Sequence, residues 1–456
     1  MNSLEVIILA AGQGTRMRSA LPKVMHKLAG KPLVKHVIDT ALSIGAQKIH
    51  TVVGHGAEQV KTGLGEIAVH WALQDKQLGT GHAVAQAMPQ VNNNSVVLIL
   101  YGDVPLVKAA TLQNLVDSVN DNSMALLTVK LPNPTGYGRI LRNNEGKVIA
   151  IVEQKDANVE QLLIDEVNTG ILAVHAKKLN EWLPKLSSNN AQGEYYLTDI
   201  IGMAANENLH IVTHHPDHAM DVEGVNNRLQ LNALERFYQR QKADELMTNG
   251  ATLADASRID VRGNLKTGRD CFIDINCIFE GNVELADNVS IGANCHIIDS
   301  KIGAGTIIKA NSVVEESVIA EHCDIGPFAR LRPGTQLANK AKIGNFVETK
   351  KAILGEGSKV NHLTYIGDAE IGKDVNVGAG TITCNYDGAN KFKTVLGDGV
   401  FIGSNSSLVA PVNIGAGATV GAGSVITGDV GDNQLAVARG KQKNIDGWKR
   451  PVKIKK

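Results

Sequence analysis

Residues 9–23 of this 456-residue chain read LAAGQGTRMRSALPK, a glycine-containing turn directly after an apolar run. Gly12 and Gly14 let the backbone approach phosphate oxygens and present amide N–H groups, while Arg16, Arg18 and Lys23 neutralise charge that a turn alone could not. The chemistry this suits is binding of a triphosphate. The string is neither GxGxxG nor GxxxxGKS/T, so a Rossmann dinucleotide site and a Walker site are both excluded. Far downstream, Arg330, Arg332, Glu348, Lys350, His362, Tyr365 and Asn376 lead into a polar stretch, TCNYDGANKFKTV, from Thr383 to Val395. Cations beside a histidine suggest an anionic substrate and a proton transfer. Five cysteines, Cys271, Cys277, Cys295, Cys323 and Cys384, form no CxxC pair. That argues against a zinc site and a disulfide framework.

The elements that must position these residues change character near residue 250. In front, apolar runs such as Val6–Leu9, Ile49–Val53 and Val96–Tyr101 alternate with helix-like stretches such as Leu33–Ala41, the pattern of a parallel sheet wrapped by helices. From Arg228 to Met247, Leu231, Leu234, Tyr238 and Leu246 lie near helical spacing among Glu, Arg, Gln and Lys, which predicts a solvated connecting helix. Behind it, 27 of the 46 glycines fall in the last 206 residues, and an aliphatic or Phe recurs every six residues. One run is Ile273, Phe279, Leu285, Ile291, Ile297; another is Ile319, Ile325, Leu331, Leu337, Ile343; a third is Leu396, Ile402, Leu408, Ile414, Val420, Ile426. A six-residue unit turns a corner with its aliphatic inward, so three units close an eighteen-residue coil of a β-helix, with about nine coils in all. Cys277 and Cys295 then stack as small inward filler. A prism has little interior for a ligand, so a pocket must come from loops or a neighbouring subunit, and the stretch 383–395, which breaks the period, is a functional candidate.

Charge and composition bound the rest. Forty-six acidic and forty-six basic residues cancel, which disfavours a nucleic-acid partner held by a broad field. Residues 439–456 carry eight Lys or Arg against Asp446 alone; this tail is either a solvated terminus or a grip on a phosphate-rich ligand. No apolar run approaches the length of a membrane helix, and the start lacks the basic residues of a secretory signal. Reduced thiols fit the same expectation, a cytoplasmic protein with no membrane partner.

The opening string resembles the LxAGxGTRMxxxxPK signature of sugar-nucleotide pyrophosphorylases. Gln74, QLGTGHA at 77–83, YGDVP at 101–105, GYGRI at 136–140, Glu153, NTG at 168–170 and VEGVNNR at 222–228 look like that group's later motifs. With the hexads behind them, the whole chain is similar to the bacterial bifunctional N-acetylglucosamine-1-phosphate uridylyltransferase and glucosamine-1-phosphate acetyltransferase family. The resemblance implies an α/β Rossmann-like nucleotidyltransferase domain over 1–227, a helical linker over 228–249, and a left-handed parallel β-helix carrying acetyltransferase activity over 250–456. It further implies a homotrimer that makes UDP-N-acetylglucosamine for peptidoglycan and lipopolysaccharide precursors, with Mg²⁺ as cofactor and acetyl-CoA and UTP as co-substrates.

By the same resemblance, Leu9, Ala10, Ala11, Gly12, Gln74, Gly79 and Thr80 hold the uridine and its phosphates, and Tyr101, Gly102, Gly138, Glu153 and Asn168 surround the sugar. Asp103 and Asn226 are the implied Mg²⁺ ligands, and Arg16 and Lys23 offset charge on the reacting phosphates. At the acetyl site, Arg332, Lys350, Tyr365, Asn376 and Lys391 would bind glucosamine 1-phosphate. Ala379, Asn385, Tyr386, Ser404, Ala422 and Arg439 would contact acetyl-CoA. His362 is the implied base, oriented by Glu348, with Asn385 or Ser404 at the oxyanion; an acetyl-cysteine route through Cys384 is disfavoured. Two other readings remain open on sequence: a scaffold whose prism only trimerises, and a front enzyme for a different sugar or nucleotide.

Overall fold

The computed structural model describes residues 3–453. Its contacts divide between Tyr238 and Gln239 into two compact units.

The front unit is built on a central sheet whose strands run, side by side, His210–His214, Ser123–Lys130, Glu166–His175, Val96–Tyr101, Leu4–Ala10, Lys48–Val53 and His70–Leu73. Leu4–Ala10 is buried along its whole length and pairs in parallel with Lys48–Val53 and Val96–Tyr101, as a continuous aliphatic run covered on both faces should. The sheet is mixed, however, where a parallel one was expected. Glu166–His175 runs antiparallel to both neighbours, because the hairpin Arg139–Arg142/Val148–Val152 returns the chain reversed. The register slips between Asn168, still paired with Thr128, and Leu172, so Thr169 and Gly170 of the NTG motif leave the ladder, with Gly170 against the Tyr101 ring.

The helix Arg228–Thr248 is capped by Asn227, whose side chain accepts from Gln230 N at 2.9 Å. It is less solvated than its composition suggests. Leu234 packs in the front unit beside Met17 and Val225, and Ala243 and Leu246 belong to the core of the back unit. Gln239 is 3% exposed, and its amide exchanges two hydrogen bonds with the backbone of Val261, at 3.1 and 2.7 Å. The side chain thereby serves as a strand neighbour for the first coil.

In the back unit the hexad aliphatics all point inward. Ile273, Ile291, Ile308, Ile325, Ile343, Val360, Val377, Ile402 and Val420 stack in one parallel register and are all at most 3% exposed. One face holds eleven short strands from Thr252–Leu253 to Leu435–Ala436, more than the nine coils the period gave, because the end hexads carry Leu253 and Ala436 without the usual signature. Most stacked partners lie 17 or 18 positions apart, the shorter turns coming from five-residue corners such as Ile297 to Ile302, but Val377 and Ile402 are 25 apart because the stretch 383–395 intervenes, and Thr419 and Leu435 are 16 apart. The glycine that follows the aliphatic is a packing requirement: a Cβ on Gly344 would sit 1.9 Å from the carbonyl oxygen of Asn361 one coil above. Cys277 and Cys295 are 1% exposed and donate to carbonyls of the next coil. Burial pushes their thiols up to about 12 and about 11, so they remain protonated filler.

Candidate active sites

In the front unit the C-terminal ends of the parallel strands open into a cleft, the place where open α/β sheets bind ligands. It is lined by Leu9–Gly12, Lys23, Gln74, Gly79, Thr80, Tyr101 and Asp103, together with Val24, Gln77, Ala83 and Glu194. Nearly the whole set expected for the nucleotide thus faces one space. Gln74 is buried and donates to Gly79 O at 3.1 Å, fixing the turn before the helix Thr80–Ala87. Glu194 was missed by sequence reasoning. It arrives on a loop held by Tyr195 N to Leu78 O and Gly81 N to Tyr195 O, both at 2.8 Å, and its only signal was a Gly-Glu pair ahead of two tyrosines.

On one side of this cleft, Lys23 Nζ is paired with Asp103 Oδ2 and also donates to Asn226 Oδ1 at 3.1 Å, while Arg16 donates to the same Asn226 oxygen at 3.0 Å. The Asn226 loop is brought there by Val225 N bonding to Asp103 O at 2.9 Å. Two hard oxygens therefore converge on one position that already holds positive charge. That donor set fits Mg²⁺, which takes one or two protein oxygens and leaves its other positions to water and phosphate. Among the described residues, no group of three or more His, Cys, Asp or Glu could hold a metal on its own.

The residues expected for the sugar gather beside Tyr101, which lines the same cleft. Asn168 N donates to Gly138 O at 2.9 Å, and a Cβ on Gly138 would approach both Glu153 carboxylate oxygens at 3.3 Å. Gly170, at φ 84°, lies so close to the Tyr101 ring that a Cβ would be 2.4 Å away, so the bulge there requires glycine. Burial holds the Glu153 carboxyl above its ordinary range, with Asp156 and Asp199 adding to the rise against a hydrogen bond from Thr198. Burial, then Glu153 and Asp103, hold the Tyr101 phenol far above its own.

In the back unit the candidate residues fall on a corner of the prism. Asn345 and His362 are register partners on successive coils. The column continues through Ala379, Ser404 and Ala422, linked by Gly380 N to His362 O, Asn405 N to Ala379 O and Gly423 N to Ser404 O. It ends where Arg439 donates to Ala422 O at 2.6 Å. At about 4.8 Å per coil, it is a straight track for an extended chain, with His362 at its foot. His362 is exposed. Its Nδ1 meets Asn345 Oδ1 at 3.1 Å; an amide oxygen only accepts, so Nδ1 carries the hydrogen, and in the neutral ring this leaves Nε2 as the acceptor. Asn345 was not foreseen. The Glu348 carboxylate, expected to orient the imidazole, pairs in this structure with Arg332 at 2.7 Å, and its register partner Tyr365 lies beside it.

Lys391 and Arg332 crowd the Lys350 ammonium and hold it below its ordinary range, an excess of positive charge that suits a phosphate. The break in the period is a hairpin in which Tyr386 and Lys391 face each other. Asn385 at its base is buried and donates to Asp368 at 2.5 Å, so its amide nitrogen anchors the loop; Ser404 is exposed. Asn376 lies between Lys359 and Phe401 on the neighbouring face. Tyr386 is exposed at the hairpin, its hydroxyl donating to Gly388 O.

Comparison with known proteins agrees with both halves. The MobA-like NTP transferase domain matches residues 6–160, the GMPPB C-terminal domain residues 261–341, and the bacterial transferase hexapeptide (six repeats) residues 393–428. The chain is 62% identical to "Bifunctional protein GlmU" of Marinobacter nauticus, over 99% of this chain and 100% of that one. It is 63% identical to the protein of the same name from Cellvibrio japonicus, over 99% of each, and 59% identical to that of Pseudomonas putida, over the full length of both. Identity of this order across the front cleft, the connecting helix and the prism alike means that the chain belongs to the GlmU family of bifunctional proteins.

Proposed function

We infer that this bifunctional enzyme acetylates glucosamine 1-phosphate from acetyl-CoA at the prism corner and then, in the front cleft, joins the product to the uridylyl group of UTP with release of pyrophosphate. The observation that carries this reading is the convergence of Lys23, Asp103 and Asn226 on one side of a cleft lined by glycine-rich backbone.

Uridylyl transfer needs position and charge more than proton transfer, since a sugar phosphate with a second pKa near about 6 is already an anionic nucleophile. Leu9–Gly12, Gln74, Gly79 and Thr80 seat the nucleotide, and Gly138, Glu153, Asn168 and Tyr101 seat the sugar, setting its phosphate in line with the α-phosphorus. Arg16 and Lys23 offset the charge gathering on the phosphate oxygens. Asp103 and Asn226 would hold Mg²⁺, which supplies further stabilisation of that charge when bound. At the second site Arg332, Lys350 and Lys391 hold the sugar phosphate, with Tyr365 and Asn376 beside it. His362 Nε2 accepts a proton from the sugar amine as its nitrogen attacks the thioester carbonyl. The nearby Ser404 hydroxyl is open to the developing oxyanion, and coenzyme A leaves as the thiol once it gains a proton. Thioester and pantetheine run along Ala379, Ser404 and Ala422 with Tyr386 at the side, and Arg439 with Lys441 or Lys443 meets the coenzyme phosphates.

We also infer a homotrimer. Its support is a ladder of Phe328, Phe346 and Leu363, 50%, 56% and 64% exposed, next to His362 on the same corner. All three have positive φ, a conformation the equivalent corners give to Asn276, Asn294 and Asn311. Bulky apolar groups at such strained, open positions suit a second copy that walls the acetyl site. Among the described residues no helix is long and apolar enough to cross a membrane, in keeping with a cytoplasmic enzyme.

The test is to incubate the protein with glucosamine 1-phosphate, acetyl-CoA, UTP and Mg²⁺ while following free thiol and pyrophosphate separately. Thiol release should persist without UTP. Pyrophosphate release without acetyl-CoA should require added N-acetylglucosamine 1-phosphate. Absence of either product from the complete mixture contradicts the reading.

A further inference from the structure

The two walls of the front cleft are joined by side chains that have no place in the chemistry above. Tyr137, next to Gly138 on the sugar wall, donates its hydroxyl to Glu223 Oε2 at 3.2 Å. The other oxygen of the same carboxylate, Oε1, accepts from Gln230 Nε2 at 3.0 Å. Gln230 Oε1 in turn accepts from the backbone N–H of Asn226 at 2.9 Å. The chain of bonds thus begins one residue from the sugar-binding glycine and ends on the backbone of the metal-facing asparagine.

Both ends of this chain are rigid. Arg139, 1% exposed, donates to Tyr137 O and to Gln154 Oε1, and the same Gln154 oxygen accepts from Gly136 N at 3.1 Å. A guanidinium so deeply buried, with carbonyl and amide oxygens as its acceptors, is an expensive way to hold a loop. It fixes the backbone from which Tyr137 projects. At the far end Gln230 lies in the first turn of the long helix, which Asn227 caps. Burial and the Glu223 carboxylate push the Tyr137 phenol up to about 12, so it remains a donor at any physiological pH.

We propose that Tyr137, Glu223 and Gln230 form a strap that sets the sugar wall and the metal wall of the cleft at a fixed separation, so that Gly138 and Asn226 grip the two ends of the reacting sugar phosphate as one unit. These are positioning residues: none touches the transferred phosphoryl group. The proposal rests on the uridylyl reading of this cleft and adds a coupling to it. A hydrogen-bonded chain broken at either end loses the same thing, so its losses do not add.

The test uses the full chain with Tyr137→Phe, which removes one hydroxyl, and Gln230→Ala, which opens the other end. Calorimetric binding of UDP-N-acetylglucosamine without metal reads the sugar wall. Paramagnetic resonance of Mn²⁺ with that ligand present reads the metal wall. Each variant should weaken both affinities by roughly 10- to 100-fold, the loss expected for one hydrogen bond to a charged group, and raise the KM for N-acetylglucosamine 1-phosphate more than it lowers kcat. The double variant should be no worse than either single one. Gln230→Glu alone places two carboxylates face to face and should be impaired; adding Glu223→Gln restores every donor and acceptor along the chain and should recover binding. Wild-type affinities in Tyr137→Phe, additive losses in the double variant, or no recovery in the exchanged pair would each overturn the strap. Failure of the unaltered protein to bind UDP-N-acetylglucosamine would instead strike at the uridylyl reading itself.

Discussion

The two candidate sites are built in opposite ways. The front one is sunk between strand ends, with Lys23 and Asp103 having only 13% and 15% of their side chains exposed and several loops contributing to its walls. The rear one is laid along a bare corner, with His362 and Ser404 open to solvent and one column of backbone as its support. Phosphoryl transfer depends on many charges fixed at once in a place poor in water, which only a deep, multi-loop cleft provides. Acyl transfer to an amine needs one base and a track for a long thioester, and a repeating prism supplies the track from its own periodicity. The contrast teaches that the regular scaffold contributes alignment while departures from the repeat, here the hairpin at 383–395 and the Phe328 ladder, contribute identity.

Substitutions in the two sites should keep that separation. The largest expected effect is in the buried cleft: Lys23→Ala should lower uridylyl transfer by about 10²-fold or more, the loss seen when one preorganised donor is removed, with acetyl transfer unchanged in a thiol-release assay. His362→Ala should lower acetyl transfer by about 10²-fold or more and leave pyrophosphate release intact. Shortening the chain after Ala438 should be milder, raising the KM for acetyl-CoA several-fold by removing Arg439 and its neighbouring lysines while uridylyl transfer is retained; an equal fall in both activities would break the comparison. The smallest effect is expected at Cys384, where direct acyl transfer predicts that alanine leaves turnover normal and burst-free.

Much of this was legible in the amino-acid order. The hexads announced the prism because inward position and sequence period are the same physical fact there, and the opening turn announced its cleft because glycine and cations in that order suit phosphate. Asn345 was hidden because it is distant in sequence from His362 and meets it only through coil register, whose spacing varies along the prism. Glu348 was assigned to the imidazole by resemblance; in the ladder it stands between Arg330 and Tyr365, and its carboxylate reaches Arg332, a pairing that sequence spacing does not announce. The reversal of Glu166–His175 was hidden for a similar reason: an apolar strand carries no mark of its direction, which depends on the hairpin before it.

The central claim is that one chain carries two separable sites. Its most direct test mixes Lys23→Ala with His362→Ala protein and supplies glucosamine 1-phosphate, acetyl-CoA, UTP and Mg²⁺. Neither variant alone should make UDP-N-acetylglucosamine at a substantial rate, and the mixture should, because one variant releases N-acetylglucosamine 1-phosphate and the other consumes it. A mixture as inactive as its parts, with each variant lacking both thiol and pyrophosphate release, would contradict the account.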